Sequence, residues 1–374
     1  MEALMNQFWN STNPSSLSES RYLWTDAFAV CNYIALYTKY SNKIFLHKAL
    51  ELVDSVHFVL GRYSLQESRK GWISGLTEDD GKLNPTQNGL RIGKKLLERS
   101  EHDAYDEDLE WDRDGQYFHY LTKWMHALCV VGNTTGDVKY KDWAVKLAQV
   151  VHDKFVHSVG KRKRLYWKMS VNLSRPLIQS MGHHDPLDGL ITYQQIQSTL
   201  SDDAKTVLSR QIAEMLGICE GRDWTTTDPL GLGGLLCDAY RVHTLLGRDD
   251  VALDTKLLET LLQCACKGLE AYVSSRYEPQ KPARFRLAFR ELGLAIGLQA
   301  IQRMLQSEVM GSNGSNKNVA KSLEELHNYL YLIKDLNTFW SDEKNQMYSS
   351  WTDHNNINTV MLATSLMPDG YLNI

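Results

Sequence analysis

Acidic side chains recur beside aromatic or histidine rings along this 374-residue chain, a pairing that can do chemistry on a sugar. Trp24-Thr25-Asp26 is the first instance. The densest is Glu110-Trp111-Asp112-Arg113-Asp114-Gly115-Gln116-Tyr117. His183-His184-Asp185-Pro186-Leu187-Asp188, Thr227-Asp228-Pro229 and Trp351-Thr352-Asp353-His354 follow. A further segment has no leading acid but carries Arg284, Arg286, Arg290 and Glu291. Ring faces stack on the C–H faces of a pyranose. One carboxyl can protonate a leaving oxygen while a second activates water or attacks. A bland reading competes at every position. An Asp at a helix start caps free N–H groups, and a Trp beside it can be a packing staple. The recurrence, more than any single residue, argues for a shared site.

These residues need elements that bring them together. Apolar residues at i, i+3, i+4 and i+7 predict helices over Leu17–Tyr37, Lys43–Leu60, Gly115–Val131, Lys139–Val156, Pro186–Leu200 and Ala204–Cys219. The pattern continues over Pro229–Leu246, Asp254–Ser275, Phe285–Leu305, Val319–Phe339 and Asn355–Met367. Strand patterning is confined to Gly71–Leu76 and Leu165–Val171. Helices that open on the marked residues are apolar nearly all round, as in Ala27–Leu36 and Leu292–Ala300. They alternate with helices that carry one charged face. That contrast predicts an inner and an outer ring: an all-α, (α/α)6 toroid of six helical hairpins forming a single domain over residues 1–374. Inner-to-outer connections are short, such as Lys39-Tyr40-Ser41 and Gly247-Arg248-Asp249-Asp250. Outer-to-inner connections are long, such as Arg62 to Trp111 and His157 to His184. Long loops are usually functional, so they should gather at one mouth with short β segments among them. No outer helix follows the last inner one, and the N-terminal segment is expected to cover that gap.

Composition narrows the function classes. Hydrophobic residues make up 43% and charged ones 23%, with a net charge of -4, so nothing directs the chain to nucleic acid. Lys161-Arg162-Lys163-Arg164 is the one concentrated basic run and reads as a solvated loop. Six dispersed cysteines without a CxxC pair read as buried free thiols. The acid-rich Glu101–Asp108 stretch lacks EF-hand spacing. The His183-His184-Asp185 triplet lacks a further ligand at zinc spacing. No metal and no cofactor is therefore expected. Asn88–Lys95 lacks the Walker spacing and reads as a loop at the mouth. No basic n-region or apolar h-region opens the chain, and no apolar run reaches membrane-span length, so a cytoplasmic protein with no membrane partner is expected. The Asn-x-Ser/Thr sequons, at Asn10, Asn133, Asn172 and Asn313, read as chance.

The helix starts Trp-Thr-Asp, Trp-Asp-Arg-Asp, His-His-Asp-Pro and Thr-Asp-Pro resemble those of the six-hairpin glycosidase superfamily over nearly the whole chain. That resemblance implies a glycoside hydrolase acting on a small sugar or an oligosaccharide. By it, Asp112, Asp114, Asp185 and Asp228 are the catalytic candidates, with Asp112 or Asp114 as acid and Asp185 or Asp228 as base or nucleophile. Trp24, Asp26, Trp111, Tyr117, His183, His184, Arg286, Arg290, Glu291, Trp351, Asp353 and His354 would bind substrate. The local motifs differ from those of the unsaturated uronyl hydrolases. The N-acylglucosamine epimerase group shares the toroid and uses histidines as acid and base. That keeps a sugar epimerase or isomerase using His183, His184 or His354 as the alternative. A non-catalytic toroid binding a glycan or protein at the same mouth is the third reading.

Overall fold

The computed structural model of the chain describes residues 1–12, 21–248, 251–275, 281–310 and 316–374. The expected helix start at Leu17, the loop residues Asp249 and Asp250 and the sequon at Asn313 lie outside the described residues. The chain divides into two compact units. One comprises Trp9–Glu220; the other joins Met1–Phe8 to Gly221–Ile374. Helix α1 (Glu2–Thr12) spans that division.

In the unit Trp9–Glu220, α2 (Leu23–Tyr40), α6 (Phe118–Thr135) and α8 (Asp185–Ser198) pack side by side. Each is backed by its successor: α3 (Lys43–Leu60), α7 (Val138–Phe155) and α9 (Ser209–Cys219). Residues Leu23 through Leu36 are all buried, which is why α2 is apolar on every side. In α3 the buried residues, among them Phe45, Ala49, Leu52 and Val56, share one face. Connections are set by capping chemistry. Ser41, in the left-handed region at φ 52, ends α2, and the Asn42 carboxamide accepts the Ile44 N–H at 3.0 Å to start α3. Gly136, at φ 72, ends α6, and Asp137 caps α7. The long connections hold α4 (Glu78–Leu83), α5 (Glu107–Asp112) and a three-stranded sheet in the order β1-β4-β5 (Gln116–Tyr117, Lys168–Met169, Pro176–Ile178). They also hold the hairpin β2–β3 (Val156–Val159, Arg162–Leu165), whose exposed end carries the basic run.

The other unit repeats this plan. Here α10 (Pro229–Leu245), α12 (Ala288–Met310) and α17 (Asn355–Leu366) pack in sequence. Helices α11 (Thr255–Ser274), α13 (Lys317–His327) and α14 (Tyr331–Ser341) lie behind them. The short α15 (Glu343–Gln346), α16 (Ser349–Thr352) and α18 (Asp369–Leu372) complete it. The element order is that of the all-α (α/α)6 class: helical hairpins with an apolar member and an amphipathic member.

Several elements depart from the sequence reading; the helix read from Phe285, for one, starts at Ala288 after a 3-10 turn, and of the strand read over Leu165–Val171 only Leu165, at the end of β3, and Lys168–Met169 form strand. The expected helix from Gly115 begins at Phe118, because Gln116 and Tyr117 pair with Met169 and Lys168 instead. The expected Val319–Phe339 helix is two, α13 and α14, separated by a tight turn in which the N–H of Tyr329 and of Leu330 reach back only three residues. The run Ala204–Cys219 becomes a single 3-10 turn and then α9. Around Gly71–Leu76 only an isolated bridge between Arg62 and Trp72 forms.

One buried histidine gives this fold an acid sensitivity. The Nε2 atom of His57 accepts the Trp124 indole N–H at 3.0 Å, and burial lowers its pKa to about 3. An unfolded histidine titrates near about 6.5. Between those values the unfolded chain binds the proton and the native chain does not. Stability from this group is therefore complete above about 6.5 and is lost as pH falls toward about 3. A shift of that size is worth roughly 5 kcal/mol at most. The variant His57→Gln, which keeps an acceptor for Trp124, should show a flatter dependence of Tm on pH across this window. Parallel wild-type and variant curves would refute the assignment.

Candidate active site

In the unit Trp9–Glu220, the starts of α2, α6 and α8 converge on one histidine that the sequence reading passed over. His119 is the second residue of α6. Its Nδ1 atom lies 3.6 Å from Oδ1 of Asp185, the first residue of α8. Asp185 is 5% exposed, and its Oδ2 atom is buried without a hydrogen-bond partner, as is the Nδ1 of His119. The side chain of His119 keeps 26% of its surface in solvent. The pair is thus buried on one edge and accessible on the other. Unsatisfied buried polar atoms are costly, so their presence points to a site built for something other than stability.

Aromatic rings frame the pair. Tyr120 lies edge-on to His119 at 4.8 Å and against Trp24 at 5.4 Å. Its hydroxyl meets that of Tyr22 at 2.6 Å. Tyr117 and Trp167 lie nearly parallel to the imidazole at 5.4 and 6.4 Å. Trp111 stands edge-on to Trp167 at 5.0 Å and is 47% exposed, so the aromatic series runs outward to solvent. Burial raises the Tyr117 phenol pKa, which keeps it neutral. One helical turn deeper, Asp188 accepts from Thr122 Oγ1 at 2.5 Å and from Lys123 Nζ at 2.8 Å, fixing α8 against α6.

The carboxylates expected to be catalytic occupy different settings. Asp112 ends α5, is 72% exposed at its side chain and lies 3.9 Å from Lys94. Asp114 is buried and fully engaged. Its Oδ2 accepts from Arg91 Nη1 at 2.9 Å, and its Oδ1 accepts the Gly93 and Gly115 N–H groups at 3.0 Å each. The segment read as a loop at the mouth is tied down there, with Gln116 Oε1 accepting the Leu90 N–H at 2.9 Å. Removing one member of such a buried pair costs about 3–5 kcal/mol. Arg91→Met is expected to lose stability in that range by chemical denaturation, and Asp114→Asn should lower Tm along with any activity. Unchanged stability in both would contradict this role. Asp26 is likewise inward: its Oδ2 accepts the Tyr22 N–H at 3.1 Å, and Arg21 lies 3.5 Å away. Burial outweighs Arg21 and raises the pKa of that carboxyl. The rings of His183 and His184 lie 4.6 Å apart, with His183 exposed and His184 half-buried ahead of α8.

The second unit holds the remaining candidates. Asp228 caps α10: its Oδ2 accepts the Gly231 N–H at 2.8 Å, while its Oδ1 accepts from Arg290 Nη1 at 2.6 Å. Arg286 and Glu291 form a buried pair at 2.6 Å, and Trp340 Nε1 donates to the same carboxylate at 2.7 Å. Trp351 is buried against Trp340, with ring centroids 5.9 Å apart. Asp353 and His354 are exposed beyond α16, and the His354 ring lies 5.8 Å from Phe289. Among the described residues no group of three metal-binding side chains converges, and no helix is long and apolar enough to cross a membrane. Of the cysteines expected to be buried, Cys31, Cys129, Cys237 and Cys264 are, whereas Cys219 and Cys266 are half-buried.

His119 and Tyr120 were missed because the Tyr117-Phe118-His119-Tyr120 run reads as the inside of a helix, and Tyr22 and Trp167 because they fall within the expected helix Leu17–Tyr37 and strand Leu165–Val171. The shifted start of α6 puts His119 and Tyr120 in the first turn.

No protein-family model and no curated protein matches the chain. Solved structures similar to it include two cellobiose 2-epimerases and a sugar epimerase. The cellobiose 2-epimerase from Spirochaeta thermophila DSM 6192 has 10% identity and a TM-score of 0.49, over 93% of this chain and 87% of that one. The cellobiose 2-epimerase from Bacillus thermoamylovorans B4167 has 10% identity and a TM-score of 0.48, over 91% and 87%. A sugar epimerase from a ruminal bacterium has 10% identity and a TM-score of 0.44, over 83% and 75%.

Proposed function

We propose that this chain is a carbohydrate-active enzyme that moves a proton on a sugar, an epimerase or isomerase with His119 as its acid and base. The buried, unpartnered carboxylate of Asp185 beside the imidazole of His119 carries this reading. With Nδ1–H directed at Asp185, the other ring nitrogen is free to act as base, and the carboxylate stabilises the imidazolium once it forms. A separation of 3.6 Å is longer than a hydrogen bond, and such contacts tighten when substrate binds.

In this reading His119 takes the proton from the carbon beside the carbonyl of an open-chain sugar. The C–H pair moves into an enediolate, and return of a proton to that carbon or its neighbour completes epimerisation or isomerisation. Delivery to the opposite face needs a second carrier, and His184, adjoining Asp185 in sequence, is assigned that role. The aromatic series that reaches the surface at Trp111 supplies ring faces for stacking on a sugar. The hydrolase reading finds less support. It needs two free carboxylates across a glycosidic bond, whereas Asp114 is committed to Arg91 and two amides and Asp112 is on the surface.

The test is incubation in deuterated water with a panel of reducing sugars, including glucose, mannose and cellobiose, followed by NMR. Deuterium beside the carbonyl, with an epimer or ketose formed, is the expected result. Cleavage of a glycosidic bond without such exchange would overturn the proposal in favour of hydrolysis.

A further inference from the structure

The carboxylate of Asp185 lies against a residue that has no side chain. An ideal Cβ placed on Gly182 would sit 2.5 Å from each of Cγ, Oδ1 and Oδ2 of Asp185. Real Cβ contacts are never that short, so the space beside the glycine is the space the carboxylate occupies. Conformation gives no reason for glycine here. Gly182 is not among the residues with positive φ, so its backbone would accept alanine. The loop after Met181 therefore requires glycine for room alone.

We propose that Gly182 is a positioning residue for the active site, its bare Cα forming the seat that holds the Asp185 carboxylate at His119. This rests on the His119–Asp185 reading above. The three atoms nearest to such a Cβ all belong to the end of one short side chain. A substitution should thus swing the carboxylate aside at little cost to the fold. The neighbouring Asp188, held by Thr122 and Lys123, keeps α8 itself in place. Displacement of a catalytic group by about 1 Å can lower turnover about a hundredfold.

The experiment compares Gly182→Ala, Asp185→Asn and the double variant with wild type. Three readouts are used: Tm, the imidazole nitrogen NMR signals of His119 at neutral pH, and kcat on the sugar the wild type deuterates. Gly182→Ala should keep its Tm and shift the His119 signals in the same direction as Asp185→Asn. It should lower kcat about a hundredfold, and the double variant should be no slower than Asp185→Asn alone. The NMR readout needs no substrate. If Asp185→Asn moves the His119 signals and Gly182→Ala leaves both them and kcat at wild-type values, the proposal for Gly182 is overturned. If Asp185→Asn moves neither signals nor kcat, the His119–Asp185 reading itself fails, and the assignment of Gly182 falls with it.

Discussion

Replacing His119 by alanine is expected to lower kcat by about a hundredfold to ten-thousandfold, the usual contribution of a positioned acid–base group. Tm should stay near that of the wild type. The imidazole is partly exposed, and its Nδ1 has no hydrogen bond to lose. The Asp185 carboxylate would lose the imidazole beside it without becoming more buried. Asp185→Asn should produce a smaller but parallel loss, because an amide can still orient the ring but stabilises an imidazolium poorly. Measurement of kcat, KM and Tm for both variants decides the matter. Full turnover in His119→Ala would eliminate it as acid and base. A loss that tracked Tm would mark it as structural. The contrast with Asp114 sharpens the test. Asp114 satisfies three donors in the interior, so its substitution should act on stability first.

The second large effect is expected at Gly233, in the interior of α10. In the unit that contains α10 and α12, these helices meet backbone to backbone. A Cβ on Gly233 would lie 2.1 Å from the Gly293 carbonyl oxygen and 2.3 Å from its carbon. One on Gly297 would lie 2.5 Å from the Gly233 carbonyl oxygen. Backbone cannot move aside as a side chain can, so Gly233→Ala must push the helices apart or bend them. Overpacking of this kind costs about 1–3 kcal/mol and sometimes more, and the upper end is expected here. Gly234 is the internal control: nothing lies within 4 Å of its would-be Cβ. There alanine should stabilise by up to about 1 kcal/mol through helix propensity alone. Thermal unfolding of the two variants should therefore shift in opposite directions. Equal shifts would show that the close approach is not what selects glycine at 233.

How far the sequence reaches can be judged from these same residues. Period and patterning alone identify Lys43–Leu60 and locate α7, α10 and α11 to within a residue or two, because an amphipathic helix must show its buried face every third or fourth residue. The contrast between apolar α2 and one-faced α3 is legible for the same reason, since an enclosed helix carries few charges, and those are paired, as Asp26 is with Arg21. Acids at helix starts are legible as well. Their roles are not, because a capping Asp and a reactive Asp share one local pattern. Asp228 caps α10, Asp114 anchors a loop through Arg91, and among the acids of the described residues only Asp185 is left with a buried, unsatisfied oxygen.

The separation between those fates lies in long-range contacts. Sequence spacing cannot reveal that Arg91 reaches Asp114, or that Gln116 and Tyr117 leave the helix to pair with Met169 and Lys168. That second contact delays α6 to Phe118 and so puts His119 in its first turn. The chain by itself therefore determines the helices, their apolar and amphipathic alternation and the crowding of acids and rings at the starts. Tertiary structure alone decides which acid keeps a free oxygen and which histidine stands beside it, because burial and partnership belong to neighbours distant in sequence.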